Sequence, residues 1–268
     1  MELESFSYKP IGYLESIFAT KNGTPRQSGL SEFARAKIRI SKEVFTNPDH
    51  SLMNLTEFSH LWILWVFHQN TDSTTVKAKV TPPRLGGERV GVFSTRSPHR
   101  PNNIGLTLVK LESVVDDTIN IAGVDMVNGT PVLDIKPYIP LYDSPQPNIA
   151  PTTEDNNDTD AKDIHDDPVK VPQWIGDPKD NLSVIFSSRA EAQLNNIDMS
   201  KLQWLKSREE LKHAIADILS TDPRSVYRKT KCSDRMYFTS LDGVHVTAWY
   251  DPDIDGMEVI KVKQELTS

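Results

Sequence analysis

Cysteine is all but missing: Cys232 stands alone in 268 residues, so no internal disulfide can form and no thiolate cage can hold a metal. No apolar run reaches the roughly 18 residues that span a bilayer. The densest, Leu61 to Phe67 (LWILWVF), is far shorter. The opening MELESFSYKP carries acids where a secretory signal carries a basic stretch and then an apolar one. A soluble, cytoplasmic protein without membrane association is therefore expected. Also absent are a G-x-G-x-x-G string after a strand, a G-x-x-x-x-G-K-S/T string, and any βαβ alternation, which argues against the doubly wound nucleotide folds and the P-loop. Gly86-Gly87 with Gly91 is no substitute. His60, His68 and His99 lack metal-ligand spacing, so no metal site is expected.

What is present begins with an uneven charge. The net charge of −7 suits a nucleic-acid binder poorly until it is divided along the chain. Residues 1–145 hold 15 Lys+Arg and 15 Asp+Glu, residues 146–180 hold 3 and 9, and residues 181–268 hold 12 and 13. The acidity thus sits in PQPNIAPTTEDNNDTDAKDIHDDPVKVP and its neighbours, which have almost no large apolar residue with which to offset the entropy of ordering. Residues 146–180 read as a linker or mobile loop between a first domain, 1–145, and a second, 181–268. In the first domain Lys77, Lys79, Arg84, Arg89, Arg96 and Arg100 fall in a stretch with one acid, Glu88. They make either a positive face or a set of solvated strand cations.

The first domain is mainly β. Tyr8–Phe18, Ala34–Ile40, Leu61–Phe67, Val76–Val80, Val90–Thr95, Leu106–Val115, Thr118–Met126 and Val132–Ile135 read as strands by alternation or by β-branched and aromatic enrichment. Their spacing predicts a closed or nearly closed β-barrel. Leu61–Phe67 is apolar on both faces and is expected deep in the core. A short helix is possible only in Lys42–Leu55. The second domain reads as small α+β. Ser207 with Glu210 matches a capping box ahead of Leu211, Ala214, Ile215, Ile218 and Leu219, which predicts a helix over about 208–220. Arg235–Leu241 and Val244–Tyr250 flank Asp242-Gly243, a strong hairpin signal, and Met257–Val262 follows.

Five constellations could carry chemistry. Thr95 to Gly105 (TRSPHRPNNIG) puts two arginines, a histidine and two asparagines in a proline-stiffened loop directly after a β run. A rigid polar loop at a strand end is what a binding site needs, and the forked donors of Arg96 and Arg100 suit a carboxylate or a phosphate. A structural loop with surface ion pairs is the alternative. Pro25-Arg26-Gln27 lies between Gly23 and Gly29, either close to a ligand or in an exposed turn. His68-Gln69 ends the apolar run at the mouth of the core, as ligand contacts or as satisfied structural groups. Asp125 to Tyr138 (DMVNGTPVLDIKPY) holds a turn at Asn128-Gly129, with Asp134 and Lys136 facing outward or towards a partner surface. Asp222 to Lys231 (DPRSVYRKTK) carries Arg224, Arg228, Lys229 and Lys231 around Tyr227, a pattern for phosphate contact with base stacking or for complementing a helix dipole.

Taken together, PRQSGL at 25–30, FSHLWILWVFHQ at 58–69, PPRLGGERVGVFSTRSPHRPNNIG at 82–105, DMVNGTPVLDIKPY at 125–138 and DPRSVYRK at 222–229 closely resemble the TsaA-like, or TrmO, family of tRNA (adenine-N6)-methyltransferases. The match spans both domains in order and leaves out the acidic segment. The resemblance implies a β-barrel methyltransferase acting as a homodimer, with S-adenosyl-L-methionine near the subunit interface. The implied substrate is the threonylcarbamoyl-adenosine beside the anticodon of threonine tRNA, methylated on N6. Cofactor contacts carried over by position fall on Pro25, Arg26, Gln27, His68, Gln69, Arg96, Leu106, Asp125, Met126, Val127 and Asn128. The tRNA side falls on Arg100, Asn102, Lys136, Asp222, Arg224, Tyr227 and Arg228. Asn128 stands where the family string reads Asp, so a role resting on charge does not carry over, although an amide oxygen still accepts a hydrogen bond.

Methyl transfer from a sulfonium needs the nucleophile in line with the S–CH3 bond, so positioning supplies most of the catalysis. Adenosine N6 is a poor nucleophile, its lone pair being delocalised into the ring, and the sequence does not name the group that takes its proton. Arg96 or Arg100 could hold the threonyl carboxylate of the modified base. Two other readings stay open: a non-catalytic RNA-binding or adaptor protein, and a methyltransferase or hydrolase acting on a small molecule.

Overall fold

The computed structural model describes residues 4–70, 76–145, 170–175, 181–232 and 234–265. Six strands close a barrel in the order β1 (Gly12–Ser16), β2 (Arg35–Ile40), β7 (Thr118–Ala122), β6 (Ile104–Val115), β3 (His60–Val66) and β8 (Thr130–Pro137), with β8 returning to β1. Every neighbouring pair in the barrel is antiparallel. A two-stranded ribbon, β4 (Lys79–Val80) with β5 (Val90–Gly91), stands beside it. The expected strands at Tyr8–Phe18, Val76–Val80, Val90–Thr95 and Thr118–Met126 are shorter than their β-prone runs. Residues 92–94 tighten into a 3-10 turn, and Gly123, at φ +78°, ends β7 early. Lys42–Leu55 holds only the 3-10 turn Pro48–Leu52.

Alternation fixes the faces. In β3, Leu61, Ile63 and Trp65 are buried while His60, Trp62, Leu64 and Val66 are only half-buried. The run that reads as apolar on both faces is thus fully buried on one. Opposite it, β6 turns Gly105, Thr107 and Val109 inward, and Ile104 and Leu106 outward. Gly105 pairs with Trp65 across the strands. A Cβ at Gly105 would lie 2.2 Å from the Trp65 indole, so the ring lies across bare backbone and its Nε1 reaches Thr107 Oγ1 at 2.9 Å.

The second unit carries a sheet ordered β10 (Met236–Leu241), β11 (Val244–Asp251), β12 (Gly256–Gln264) and β9 (Ser183–Phe186), with only β9 parallel to its neighbour. The helix α3 (Arg208–Ser220) packs against it, as does α2 (Ser188–Asn195). Two short helices complete the set, α1 (Pro140–Asp143) and α4 (Val226–Lys231). The predicted helix matches α3, with Ser207 Oγ accepting from the Glu210 N–H. Its reciprocal half is rewired, since Glu210 accepts from the Lys206 N–H and pairs with Arg35 of the barrel at 2.8 Å. The Asp242-Gly243 hairpin has positive φ at both residues, the condition of a type I′ turn. Residues β9, α2 and α4 cover are missing from the expected elements. The reading of 146–180 as a linker or mobile loop lies outside the described residues except at 170–175.

The two units are fastened by polar contacts. Arg35 also donates to the Trp204 carbonyl, and the Asp242 N–H donates to the Ile17 carbonyl at 3.1 Å. Gly23, at φ +92°, abuts Thr239 so closely that a Cβ would overlap its hydroxyl.

Gly105→Ala is expected to drive the Trp65 ring off β6 and destabilise the fold by about 1–3 kcal/mol. A lowered midpoint in urea denaturation, with an altered tryptophan emission, checks this.

Candidate functional site

One end of the barrel gathers the most chemistry. After β7 the chain turns at Gly123, whose carbonyl accepts from the Gly29 N–H at 3.0 Å. That bond ties the 25–29 loop to the segment holding Asp125. Thr107, 1% exposed on the inner face of β6, donates its hydroxyl proton to Asp125 Oδ1 at 2.7 Å. A hydroxyl has one proton, and the indole N–H of Trp65 occupies an acceptor site of the same oxygen. The chain Trp65 to Thr107 to Asp125 therefore runs in one direction, and it aims the carboxylate.

Burial pushes the Asp125 carboxyl up to about 6, while the Thr107 bond, its own backbone N–H and the Arg96 charge act to lower it. Its ionised form becomes dominant just below neutrality. Arg96 in turn donates to Gln27 Oε1 at 3.0 Å. Gln27, Arg96 and Asp125, predicted from three separate strings, thus meet. Thr107 and Trp65 escaped the sequence reading. The signal for Thr107 was available: a polar residue at an inward position of a barrel strand needs a partner.

The other predicted residues divide. Asn128 accepts from the Ser16 N–H at 3.1 Å, and its own N–H bonds to the Phe18 carbonyl. It fastens the end of β1 with an amide oxygen, a task that needs no charge. Met126 is fully buried and its carbonyl accepts from Ser16 Oγ, while the Val127 carbonyl accepts from Thr130. Both serve the core and the turn. His68 and Gln69 are half-buried at the mouth of β3, and Lys21 Nζ donates to the Gln69 carbonyl. Pro25 is buried. Leu106 points to the outer face of β6, opposite Leu64 and away from Asp125.

Arg100 does not reach outward. Its guanidinium donates to the Thr95 carbonyl at 2.6 Å and lies over the Phe93 ring, so it closes the Thr95–Gly105 loop from within. Elsewhere in that loop Asn102 is exposed, and Arg96 faces Gln27. Arg26 leaves the cluster: its Nη2 donates to the carbonyls of Pro223 and Arg224, both at 3.1 Å. Arg224, expected to meet a phosphate, is 6% exposed. It pairs with Asp222 through two bonds of 2.7 and 3.0 Å and lies 3.7 Å over the Tyr250 ring. A guanidinium so enclosed is a keystone of the turn at 222–225 that leads into α4. Tyr227 is exposed and Arg228 half-exposed, whereas Lys136 pairs with Asp134 at 2.7 Å on the outside of the barrel. Among the described residues no group of three or more His, Cys, Asp and Glu could hold a metal ion, and no helix is long and apolar enough to cross a membrane.

Comparison with known proteins agrees along the whole chain. The sequence model of the tRNA-methyltransferase O N-terminal domain matches residues 13–144, and that of the TrmO C-terminal domain matches residues 179–265. A Homo sapiens protein named tRNA (adenine(37)-N6)-methyltransferase is 33% identical, the alignment covering 98% of this chain and 90% of that one. A Pseudomonas aeruginosa protein, provisionally named an S-adenosylmethionine-dependent methyltransferase, is 34% identical over 96% of this chain and 97% of its own. Among solved structures, that of TrmO from Pseudomonas aeruginosa superposes with a TM-score of 0.67 at 28% identity, covering 97% of this chain and 100% of that one.

Because the folded carboxyl of Asp125 titrates near 6 rather than near 4, its ionisation opposes folding as pH rises through that window. Asp125→Asn keeps an acceptor for Thr107 and removes the ionisation. Its stability relative to the parent should grow from pH 4 to 6 and level off above, by up to about 3 kcal/mol. Denaturation curves at several pH values read this directly.

Proposed function

This chain belongs to the TrmO family of tRNA methyltransferases, and from that premise we propose that the cluster of Gln27, Arg96 and Asp125 receives S-adenosylmethionine. The chain is an S-adenosylmethionine-dependent tRNA (adenine-N6)-methyltransferase, and the reacting base is adenosine-37. The cofactor, when bound, supplies an activated methyl group on a sulfonium. It carries two positive centres and one carboxylate, and the residues of the cluster fit that charge pattern. Asp125, ionised above about pH 6, suits a cationic centre, while Arg96 has forked donors for a carboxylate. Gln27 adds an amide that both donates and accepts. The carrying observation is the directed chain from Trp65 through Thr107 to Asp125, which holds a carboxylate rigidly in place before any ligand arrives.

The narrower substrate is threonylcarbamoyl-adenosine in threonine tRNA. The threonyl part of the substituent brings a carboxylate close to N6, a negative charge that plain adenosine lacks and that a cation at the site would favour. A homodimer also fits. The outer face formed by β3 and β6 pairs Val66 with Ile104, Leu64 with Leu106 and Trp62 with Leu108. Such a continuous apolar stripe on a barrel wall suits an interface with a second copy. In such a dimer Leu106, on the outer face of β6, faces the partner subunit. The cytoplasm, where tRNA is matured, is the expected compartment.

Two measurements test this reading. Nucleoside mass spectrometry of tRNA from cells lacking the protein should show loss of the methylated threonylcarbamoyl-adenosine, and restoration by the wild type but not by Asp125→Ala. Leu106→Asp should convert a dimer to a monomer in analytical ultracentrifugation and depress methyl transfer at least about tenfold, since it places a charge in an apolar contact.

A further inference from the structure

A cavity lies in the seam between the barrel and the C-terminal sheet. It measures about 260 Å³, and its lining includes Lys21, Arg26 and Arg228 but no carboxylate. Asn22, Ser225 and Tyr237 add neutral polar groups. Three cations around one polar hollow repel one another unless an anion joins them.

The nearby carboxylates are already engaged. Asp222 takes two bonds from Arg224 and a third from Lys229 at 2.6 Å. Asp234 faces Arg228 only at 3.5 Å and accepts the Met236 N–H as well. Five cations, Lys21, Arg26, Arg224, Arg228 and Lys229, thus share two carboxylates, an excess of three positive charges in this cluster.

Arg26 shows the imbalance most clearly. Two N–H donors reach the Pro223 and Arg224 carbonyls through Nη2. A guanidinium has five, and the remaining three find no acceptor among the described residues. Ser225 Oγ accepts from the Arg228 N–H, which leaves its own proton free to donate. Lys21 Nζ rests on the Gln69 carbonyl and on Asn70 Oδ1, contacts a stronger acceptor can replace.

We infer that this seam cavity binds an oxyanion of the tRNA substrate. The inference rests on the tRNA-methyltransferase reading and adds where the substrate is gripped. Position supports it: Arg26 lines the cavity, while Gln27, the next residue, bonds Arg96 in the cofactor cluster. The cavity and the cofactor cluster are thus joined through two consecutive residues of one loop. The cavity also replaces Arg100 as the reader of negative charge, since Arg100 is tied to the Thr95 carbonyl. Two groups on the substrate have the right chemistry, the carboxylate of the threonylcarbamoyl substituent and a backbone phosphate.

The test titrates an anticodon stem–loop RNA, with and without the threonylcarbamoyl group, against the full-length protein by fluorescence anisotropy. Lys21→Met, Arg228→Gln and the double variant are compared with wild type, and S-adenosylmethionine affinity is measured calorimetrically on each. The double variant should bind RNA at least about tenfold more weakly, each single variant less so, with cofactor affinity unchanged. Loss confined to the modified RNA places the carboxylate in the cavity, and equal loss on both RNAs places a phosphate there. Unchanged RNA affinity in variants that still bind cofactor overturns the inference. Should wild type itself neither bind S-adenosylmethionine nor methylate tRNA, the underlying functional reading falls instead. Both substituted side chains lie at the rim of the seam, and if the double variant does not fold, the single variants decide the matter by the same readout.

Discussion

The contact on which most of the molecule depends is an indole laid across a glycine. Trp65 fits against β6 only because residue 105 has no Cβ, and only in that pose does its N–H reach Thr107. The same pose fills the end of the barrel, with the Phe67 ring 4.2 Å away. One packing decision therefore closes the core and orients the carboxylate of Asp125. Stability and site geometry are not separable at this point. A cavity or a shift there also loosens the carboxylate of Asp125.

A second dependence runs through the seam. Asp242, whose αL backbone makes the β10–β11 hairpin, accepts the N–H groups of Gln203, Trp204 and Leu205 with its side chain. Its own N–H donates to the Ile17 carbonyl at the end of β1. The hairpin, the segment before α3 and the barrel rim thus meet on one residue. Arg35 reinforces the junction by facing Glu112 within the barrel and Glu210 on α3. These are polar, partly exposed fastenings, each worth little alone, so the seam is held by their number and by the fit around Gly23.

Much of this was legible in residue order. Period-two alternation gave the barrel strands, and the Ser207 cap with its apolar spacing gave α3. Three strings far apart in sequence converge where Arg96 bonds Gln27 and its charge acts on Asp125. Other features were not legible, for physical reasons. β9 is four residues long and is a strand only because β12 offers it a parallel edge. The DPRSVYRK string looked like a basic loop because cations past a helix and cations on a short helix are alike in composition; folding buried Arg224 and left Tyr227 exposed. Arg100 reads as a donor for a carboxylate or a phosphate because a string cannot show that the carbonyl of Thr95 lies within its reach. Thr107 could be flagged as an inward polar residue, but not its partners, which lie 42 and 18 residues away.

The closure of the barrel sets an order of events for the chain as it is made. β1 pairs with β2 on one side, and on the other with β8, where Gly12 meets Val132. Until β8 has emerged from the ribosome, the first strand presents an unpaired edge of backbone donors and acceptors. At ordinary rates of synthesis that delay is roughly 6–24 seconds. A nascent barrel of this kind passes through a stage at which its earliest strand can pair with foreign strands as readily as with its own. The brevity of β1, five residues, limits how much of that edge is offered.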